Sequence, residues 1–442
     1  MKIPDVQSAA APLYIESLDQ EGRGIARRDG KTIFVEGALP GEHVTVSVFR
    51  KKPSFEIGHA QTIVHPSSSR TVPRCVYFGL CGGCALQHVN LVTQVAAKQR
   101  VLEDALRRIG KVTPDEMLPP IHGPGWGYRH RARFTVRHVA KKGGVLVGFH
   151  EKRSSYVTDM ASCEVLPARM SALVTPLRQL ITGLSIRQRV PQIEVSIGDE
   201  ATALVLRVLE PPHLEDETTL RAFADQHGVY LYLQPGGPLT VQPFHPPAGA
   251  DLHYALPEFG VRIYFEPTDF TQVNHAVNRV LVRRALMLLA PQPGDRVADM
   301  FCGLGNFSLP IARSGAHVLG AEGSEALLAR ARNNAVRNGL GDRTRFEAMN
   351  LFEIDASSLS ALGTFDRMLI DPPRDGAMEL VKALGPDAPH RIVYVSCNAG
   401  TLARDAAVLV AEKGYSMKSA GVVNMFPHTA HVESIALCTR ST

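Results

Sequence analysis

Three side chains near the C-terminus have types and spacing that suit chemistry on an unreactive carbon. Asp371 opens an Asp-Pro-Pro-Arg run, Cys397 lies 26 positions later, and Glu433 lies a further 36 positions along. Each adjoins an apolar segment that predicts a buried strand. Because strand ends of an open α/β sheet converge on one crevice, we expect the three groups to share a site. A thiol nucleophile between two carboxylates permits covalent catalysis on a ring carbon.

A glycine-rich turn upstream predicts a nucleotide-like binding site. Residues 296–301 predict a strand, 302–306 (Cys-Gly-Leu-Gly-Asn) the turn, and 307–314 a helix. Glycines allow the backbone to approach a ligand closely. A strand over 317–321 then leads to Glu322, where an acid can bind ribose hydroxyls. No Gly-Lys-Ser/Thr follows the turn, which excludes a P-loop.

The elements that must position these groups alternate between strand and helix. The helix after Glu322 is predicted to begin at the N-cap Ser324 and to end at Gly339. The segment Phe346–Met349 predicts a third strand, so Asn350 should lie at the same edge of the sheet. The C-terminal region is therefore expected to be a parallel α/β sheet whose strand ends carry the site.

Taken together, these motifs resemble the S-adenosylmethionine-dependent RNA uracil-C5 methyltransferases. The matching segments are Phe270–Asn274, Asp299–Asn306, Asp371–Arg374, Ser396–Asn398 and His431–Ser434. The resemblance extends over the whole chain and is greatest to the bacterial members that act on 23S ribosomal RNA. It implies a class I, Rossmann-like methyltransferase domain over 269–442, with S-adenosyl-L-methionine as cofactor and 23S ribosomal RNA as partner.

The same resemblance assigns roles to individual residues. Cys397 would add to C6 of the uracil, and Glu433 would remove the C5 proton. The residues that would hold the methyl donor are Gln272, Phe301, Asn306, Glu322, Asn350 and Asp371. Asp371 could instead hold the uracil ring, and the sequence leaves both roles open. Phe270 and Arg374 are candidates to support the flipped nucleotide, whereas Cys302, Cys438, His428 and His431 are interpreted as structural.

Four cysteines outside this region form a candidate metal site. Cys75, Cys81 and Cys84 are close in sequence, and Cys163 follows 79 residues after Cys84. In a reducing compartment such a set favours metal over disulfides. Their spacing is compatible with zinc and with an iron–sulfur cluster, since both take four thiolates. The family resemblance favours a [4Fe–4S] cluster with a structural or RNA-positioning role.

The N-terminal segment predicts a small β-barrel. Short strands are expected at Leu13–Glu16, Ile25–Arg28, Thr32–Val35 and His43–Phe49, separated by glycine-containing turns. The segments Glu21–Ala26 and Phe34–Glu42 resemble the TRAM domain, an OB-like module that delivers enzymes to RNA. Residues 1–68 are therefore expected to form an RNA-binding barrel.

A basic segment lies between the barrel and the C-terminal region. Residues 121–153 hold eight Lys or Arg and a single acid. Arg129, Arg131 and Arg133 alternate, so on a strand they would share one face, and Tyr128 and Phe134 are interleaved with them. Cations for phosphates and aromatic rings for unstacked bases suit RNA. The competing interpretation is a solvated basic face of an antiparallel sheet.

The 442 residues and 45% hydrophobic content suit about three globular domains. A central α+β domain carrying the four cysteines is expected over 69–90 and 120–268. A helix starting at Asn90, with Val95, Leu102, Ala105, Leu106 and Ile109 as its apolar stripe, should link the domains over 91–119. With no apolar leader and no run of ~18 apolar residues, we expect a cytoplasmic, monomeric enzyme.

Three other functions compete with this interpretation. Methyltransferases of exocyclic amines carry an aromatic residue where this chain has Arg374, and they would give Cys397 no role. An inactive RNA-binding assembly factor would not need Cys397, Glu433 and a donor pocket together. A sister uracil enzyme acting on transfer RNA or another ribosomal position differs only in its target nucleotide.

Overall fold

A computed structural model describes residues 11–440 of the chain. The first ten residues of the predicted barrel and the last two of the predicted methyltransferase domain lie outside the described residues. Three main sheets follow one another along the chain, except that residues 116–117, which precede the second sheet, pair with the edge of the third. Within the described part, no helix combines the length and the apolar character needed to cross a membrane.

The first sheet is a six-stranded barrel-like structure with strand order β1-β5-β6-β4-β3-β2. Its strands are β1 (Leu13–Tyr14), β2 (Ser17–Leu18), β3 (Gly24–Arg28), β4 (Lys31–Glu36), β5 (His43–Lys51) and β6 (Phe55–His65). The residues between β1 and β2 connect both edges, since Ile15 N–H donates to Glu42 and Glu16 N–H donates to Ile25. The sequence missed β6 because five of its eleven residues are solvent-exposed and its apolar residues do not alternate regularly.

Helix α1 (Leu91–Ala105) begins where it was predicted, with the Asn90 side chain accepting from Thr93 N–H at 2.8 Å. The helix continues as a wider π-turn over Leu106–Gly110. This turn changes the angular phase of the side chains, so the prediction that Ile109 belongs to the buried stripe is wrong, and 52% of Ile109 is exposed.

The second sheet has the order β13-β12-β11-β10-β8-β9 and is mostly antiparallel. Helices α2 to α4 belong to this α+β region. Its elements are β8 (Arg131–Val139), β9 (Gly144–Gly148), α2 (Ala168–Ser171), α3 (Val174–Gly183), β10 (Gln192–Ile197), β11 (Thr202–Arg207), α4 (Leu214–His227), β12 (Tyr230–Gln234) and β13 (Gln242–His245). A separate hairpin of β14 (His253–Leu256) and β15 (Val261–Tyr264) leads into the third sheet.

The predicted basic RNA-binding face on this sheet stays a prediction, and the structure shows which of its residues already have partners within the protein. Arg131 and Arg133 both point to Glu194 on the neighbouring strand β10, at 3.6 and 2.9 Å. Tyr128 and Phe134 are buried core residues rather than exposed base stackers. The two arginines give the buried Glu194 carboxylate cationic partners, which costs less than leaving it unpaired, while the Arg133 side chain stays 66% exposed.

The third sheet has eight strands in the order β18-β17-β16-β19-β20-β22-β21-β7. Its elements are β7 (Glu116–Met117), α5 (His275–Leu289), β16 (Arg296–Met300), α6 (Ser308–Arg313), β17 (His317–Glu322), α7 (Glu325–Arg337), β18 (Thr344–Ala348), α8 (Ala356–Ala361), β19 (Arg367–Ile370), α9 (Met378–Ala383), β20 (Arg391–Ser396), α10 (Ala399–Ala411), β21 (Ser416–Val423) and β22 (Glu433–Thr439). Strands β16 to β20 pair in parallel, whereas β22 runs antiparallel to both of its neighbours.

The order of this sheet reverses at β16, which pairs with β17 on one side and β19 on the other. Ligands of open α/β sheets bind at such a switch point, outside the carboxyl ends of the strands. Because β22 is antiparallel, its first residue, Glu433, lies at that same edge. Two buried apolar clusters occupy the faces of the sheet, one against α5 to α7 and one against α1, α9 and α10.

Candidate active site

A cavity of about 570 Å³ opens at the carboxyl edge of the third sheet. The thiol, the second carboxylate and all six predicted donor-binding residues line it, namely Gln272, Phe301, Asn306, Glu322, Asn350, Asp371, Cys397 and Glu433. The fold thus brings together residues from seven separate segments of the chain, most of them at strand ends as expected.

The glycine-rich turn gives the cavity its backbone wall. Gly303 and Gly305 have φ angles of +53° and +89°, where glycine avoids the steric penalty of a side chain. Glu322 accepts from Gly303 N–H at 3.3 Å and from Ser324 N–H at 3.1 Å, so its carboxylate is held at the end of β17. Phe301, also at positive φ (+65°), places its ring 5.5 Å from that of Phe352 across the cavity wall.

Asn306 is held by a polar network that the sequence did not predict. Its Oδ1 accepts from the Tyr254 hydroxyl and from Asn278 Nδ2, each at 2.9 Å. Its Nδ2 donates to Asn278 Oδ1 at 3.1 Å, which leaves one amide N–H for a ligand. Asn278 is fully buried on α5, so the network fixes the amide orientation of Asn306.

Buried carboxyl groups dominate the electrostatics of the cavity. Desolvation raises the pKa of Asp371 to about 7. Desolvation, opposed by the Ser308 hydrogen bond, raises the pKa of Asp299 behind the turn to about 7. A cationic ligand in this cavity would favour the ionised form of these acids and would be attracted by it.

Cys397 lies between the end of β20 and the start of α10. Asn398 caps that helix by accepting from Gly400 and Thr401 N–H. Burial, followed by the charges of Glu433 and Asp371, raises the pKa of the Cys397 thiol to about 11, while Arg374 lowers it. The thiol of the free protein is therefore protonated at neutral pH, and a nearby cation is required to make it a nucleophile.

Glu433 begins β22 opposite Val423 on β21. Only 5% of the residue is exposed, and its Oε2 has no hydrogen-bond partner within the part of the chain that the structure describes. Burial and the charge of Asp371 raise the pKa of Glu433 to about 8, and the charge of Lys98 lowers it. An unpaired carboxyl oxygen facing a cavity has the position that a general base requires.

Two buried polar residues of α1, Gln94 and Lys98, were not predicted to be near the site. Lys98 Nζ donates to Asn424 Oδ1 at 2.7 Å and to the Phe426 carbonyl at 2.8 Å. Gln94 accepts from His428 N–H at 2.8 Å. Both therefore hold the loop that leads into Glu433. The sequence carried a signal for this burial. Gln94 and Lys98 lie eight and four residues before Leu102, so on a helix they share the face of the apolar stripe.

The mouth of the cavity carries the residues proposed to support a base. Phe270 is 70% exposed there. Arg374 contacts His431 Nδ1 at 3.1 Å, so His431 positions the guanidinium, whereas His428 is buried against Gln94 and Trp126. Cys302 and Cys438 are buried within the apolar clusters, in agreement with their structural interpretation.

The four predicted metal ligands also come together, around a neighbouring cavity of about 300 Å³ lined by Cys75, Cys81, Cys84 and Cys163. All four are free thiols. Backbone N–H groups point at the sulfurs of Cys75, Cys81 and Cys163. Within residues 11–440, however, no three His, Cys, Asp or Glu side chains converge closely enough to hold a single metal ion. Arg374, Phe426 and His431 line both this cavity and the first one.

Family models match two parts of the chain. The model described as tRNA (Uracil-5-)-methyltransferase matches residues 260–441, and the TRAM domain model matches residues 12–60. Both matches agree with the sheets described above. The predicted fold class of an N-terminal TRAM barrel and a C-terminal methyltransferase domain is thereby confirmed.

Relatives of similar length share most of the sequence. The 23S rRNA (uracil(1939)-C(5))-methyltransferase RlmD of Nitrosospira multiformis is 62% identical over 97% of this chain and 98% of its own. The protein of the same name from Dechloromonas aromatica is 62% identical over 96% of this chain and 98% of its own. Among solved structures, the tRNA (uracil-54, C5)-methyltransferase of Pyrococcus abyssi in complex with S-adenosyl-L-homocysteine has a TM-score of 0.76 at 24% identity. That match covers 98% of this chain and 100% of the other, and it shows a shared fold.

Proposed function

The chain belongs to the RNA uracil-C5 methyltransferase family, and we propose that it methylates C5 of uracil 1939 in 23S ribosomal RNA with S-adenosyl-L-methionine as donor. One observation carries the proposal: Cys397 and Glu433 line the same cavity as the predicted donor-binding residues. The 62% identity to relatives named for this target, over nearly their whole length, supports the choice of nucleotide.

The reaction begins with the thiol because C5 of uracil is a poor nucleophile. The Cys397 thiolate adds to C6, and the C5–C6 electron pair moves onto the ring carbonyl as an enolate. C5 then attacks the sulfonium methyl group, and the donor leaves as neutral S-adenosylhomocysteine. Glu433 takes the proton from C5, the C5–C6 double bond forms again, and the S–C6 bond breaks. Covalent catalysis thus divides one difficult step into easier ones.

The cationic donor would supply the positive charge that stabilises the Cys397 thiolate. The negative charges around Cys397 raise its pKa, so the thiolate is disfavoured before ligands bind. A sulfonium cation in the same cavity would lower the pKa of Cys397 and of the acids beside it. Donor binding and thiol activation are then coupled through charge.

Each donor-binding residue has a role suited to its chemistry. Glu322, at the end of β17, would accept hydrogen bonds from the ribose hydroxyls of the donor. Asn350, which follows β18, would face the adenine. Gln272 and the free N–H of Asn306 offer polar contacts, and the Phe301 ring offers an apolar one. Asp371 lines the same wall and would face either the sulfonium or the uracil ring.

RNA reaches the site only if the target base leaves its stack. Phe270 at the mouth could stack on it, and Arg374 could neutralise its phosphate. The TRAM barrel would bind the flanking RNA. We further propose that the enzyme works as a monomer in the cytoplasm, where ribosomal RNA is processed, with the predicted domain divisions after residues 68, 90, 119 and 268.

We also propose a [4Fe–4S] cluster held by Cys75, Cys81, Cys84 and Cys163. Four thiols around a cavity, rather than around a point, match the size of a cluster better than that of one ion. Backbone N–H groups aimed at the sulfurs would stabilise thiolates. The cluster would hold the loop between the two cavities and has no part in methyl transfer.

The proposal is tested by mapping the modified nucleotide. Purified protein with unmodified 23S ribosomal RNA and methyl-labelled donor should produce 5-methyluridine at position 1939, and Cys397→Ala should produce none while still binding donor. RNA carrying 5-fluorouridine should trap the wild type covalently, because fluorine cannot leave as a proton. Methylation at another ribosomal position or in transfer RNA would refute the target, and normal turnover by Cys397→Ala would refute the mechanism.

A further inference from the structure

Helix α1 carries a buried cation, Lys98, beside the loop that leads into the predicted base Glu433. Lys98 is only 2% exposed and does not line the donor cavity, whereas Glu433 does. Two of its ammonium N–H bonds are taken by Asn424 Oδ1 and the Phe426 carbonyl. Asn424 directly follows Val423, the cross-strand partner of Glu433, so Lys98 is anchored at the end of the β21–β22 pair where Glu433 lies.

A buried lysine needs a reason because desolvating an ammonium group is costly. The two hydrogen bonds go to neutral acceptors, which could be served by a neutral side chain at lower cost. The remaining favourable interaction of Lys98 is with the charge of Glu433: each lowers the free energy of the other's ionised form. Among the groups acting on Glu433, Lys98 supplies the stabilising charge and Asp371 the opposing one.

We infer that Lys98 is a positioning residue for proton removal, whose ammonium group favours the ionised form of Glu433 when C5 of the methylated uracil must lose its proton. The inference rests on the proposed function, since it assumes that Glu433 is the base. It also explains why a helix that begins beside the cysteine cluster carries a lysine within its apolar stripe.

Other charged and titratable groups face this pair and set its background. Burial raises the pKa of Glu433 to about 8, and Asp371 adds to that rise. Burial lowers the pKa of Lys98 to about 7, while Glu433 raises it. The neighbouring groups on the packed elements are Cys397, Arg374, His428 and His431. The two histidines have lowered pKa values, chiefly through burial, and are neutral at pH 7.

The test follows the pH dependence of adduct resolution. Rapid-quench experiments with labelled RNA measure how fast the methylated RNA–protein adduct decays between pH 5.5 and 9. Removing the positive charge raises the pKa of a nearby carboxyl group, so Lys98→Met should move the acid limb of the decay rate up by about one pH unit and should accumulate adduct at neutral pH. Lys98→Gln, which keeps hydrogen-bond donors but loses the charge, should do the same, and Lys98→Arg should restore the limb.

A matched control separates charge from anchoring. Gln94→Met removes the other buried contact of α1 with the same loop and leaves the charge unchanged. It should change the rate of adduct decay or the stability of the protein, but not the pH at which the acid limb of the decay rate falls. If the acid limb of the adduct decay rate falls at the wild-type pH in both Lys98→Met and Lys98→Gln, the inference is overturned. Glu433→Gln, measured in parallel, should hold methylated adduct at every pH. If it does not, the base assignment of the proposed function fails rather than the role of Lys98.

Discussion

At the scale of single residues, the cavity concentrates buried acids that are partly protonated when empty. Asp371 and Glu433 have their pKa values raised to about 7 and about 8, mainly by burial. We expect such a site to discriminate between a cationic donor and its neutral product, because only the cation is attracted by ionised carboxyl groups. The same charges would help to release S-adenosylhomocysteine after transfer.

Donor discrimination should therefore depend on pH. The ratio of S-adenosylmethionine affinity to S-adenosylhomocysteine affinity should rise roughly tenfold between pH 6 and pH 8, as Asp371 becomes ionised. Taking the ratio cancels the amino and carboxyl groups that both ligands share. Calorimetric titration measures both affinities, and Asp371→Asn should flatten the dependence. A ratio independent of pH in the wild type would show that Asp371 does not face the sulfonium.

At the scale of elements, the loop between β21 and β22 connects the two cavities. Ala85 and Leu86 N–H groups both donate to the His428 carbonyl, at 2.8 and 2.9 Å. Trp126 stacks on the His428 ring with 3.8 Å between centroids. The segment that carries the cysteines thus holds the loop that leads into Glu433, so order at the cysteine site should be transmitted to the base.

Loss of the proposed cluster should loosen this loop. Anaerobically purified protein should contain iron and sulfide, and Cys81→Ser or Cys84→Ser should remove both. Loss of the cluster should disorder the cysteine segment, which includes the anchoring residues Ala85 and Leu86. Hydrogen exchange should then accelerate at residues 424–432. Cys438→Ser, in the core of the third sheet, controls for the loss of any buried thiol. Stoichiometric zinc without iron would refute the cluster and leave the four-thiolate site standing.

At the scale of the whole molecule, a large cleft of about 960 Å³ separates the barrel from the second sheet. Arg153 crosses it, pairing with Glu36 and lying 4.3 Å above the Phe49 ring of the barrel. Arg50 and Lys152 also line the cleft. Lys152 and Arg153 belong to the basic segment 121–153, so the fold brings part of that segment to a cleft beside the barrel.

Binding of ribosomal RNA should depend on these cleft cations. Arg50→Ala and Lys152→Ala should each weaken RNA binding and reduce the salt dependence of log Kd by about one, since each would remove one phosphate contact. Donor affinity should not change. Arg345→Ala, on the outer edge strand β18 of the third sheet, is the control and should leave the salt slope intact. A wild-type slope in the cleft variants would place the RNA elsewhere.

The sequence by itself determined the chemistry of the site. Strand ends, turns and helix caps are set by local patterns, so Asp371, Cys397, Glu433 and the glycine-rich turn could be assigned to one edge of a sheet before any coordinates were known. The four cysteines could be grouped for a different reason: cysteine is rare in the chain, and the proposed metal site requires its ligands to lie close together.

Only the tertiary structure decided which charges are free and which are already paired. Arg131 and Arg133 look available in the sequence, yet both pair with Glu194 from a strand sixty residues away. Lys98 looks like an ordinary helical lysine, yet packing buries it against Asn424 at the strand end next to Glu433, which lies 335 residues after Lys98 in the chain. Such pairings arise from contacts between distant segments, and the burial that gives these charges their strength is a property of the assembled fold.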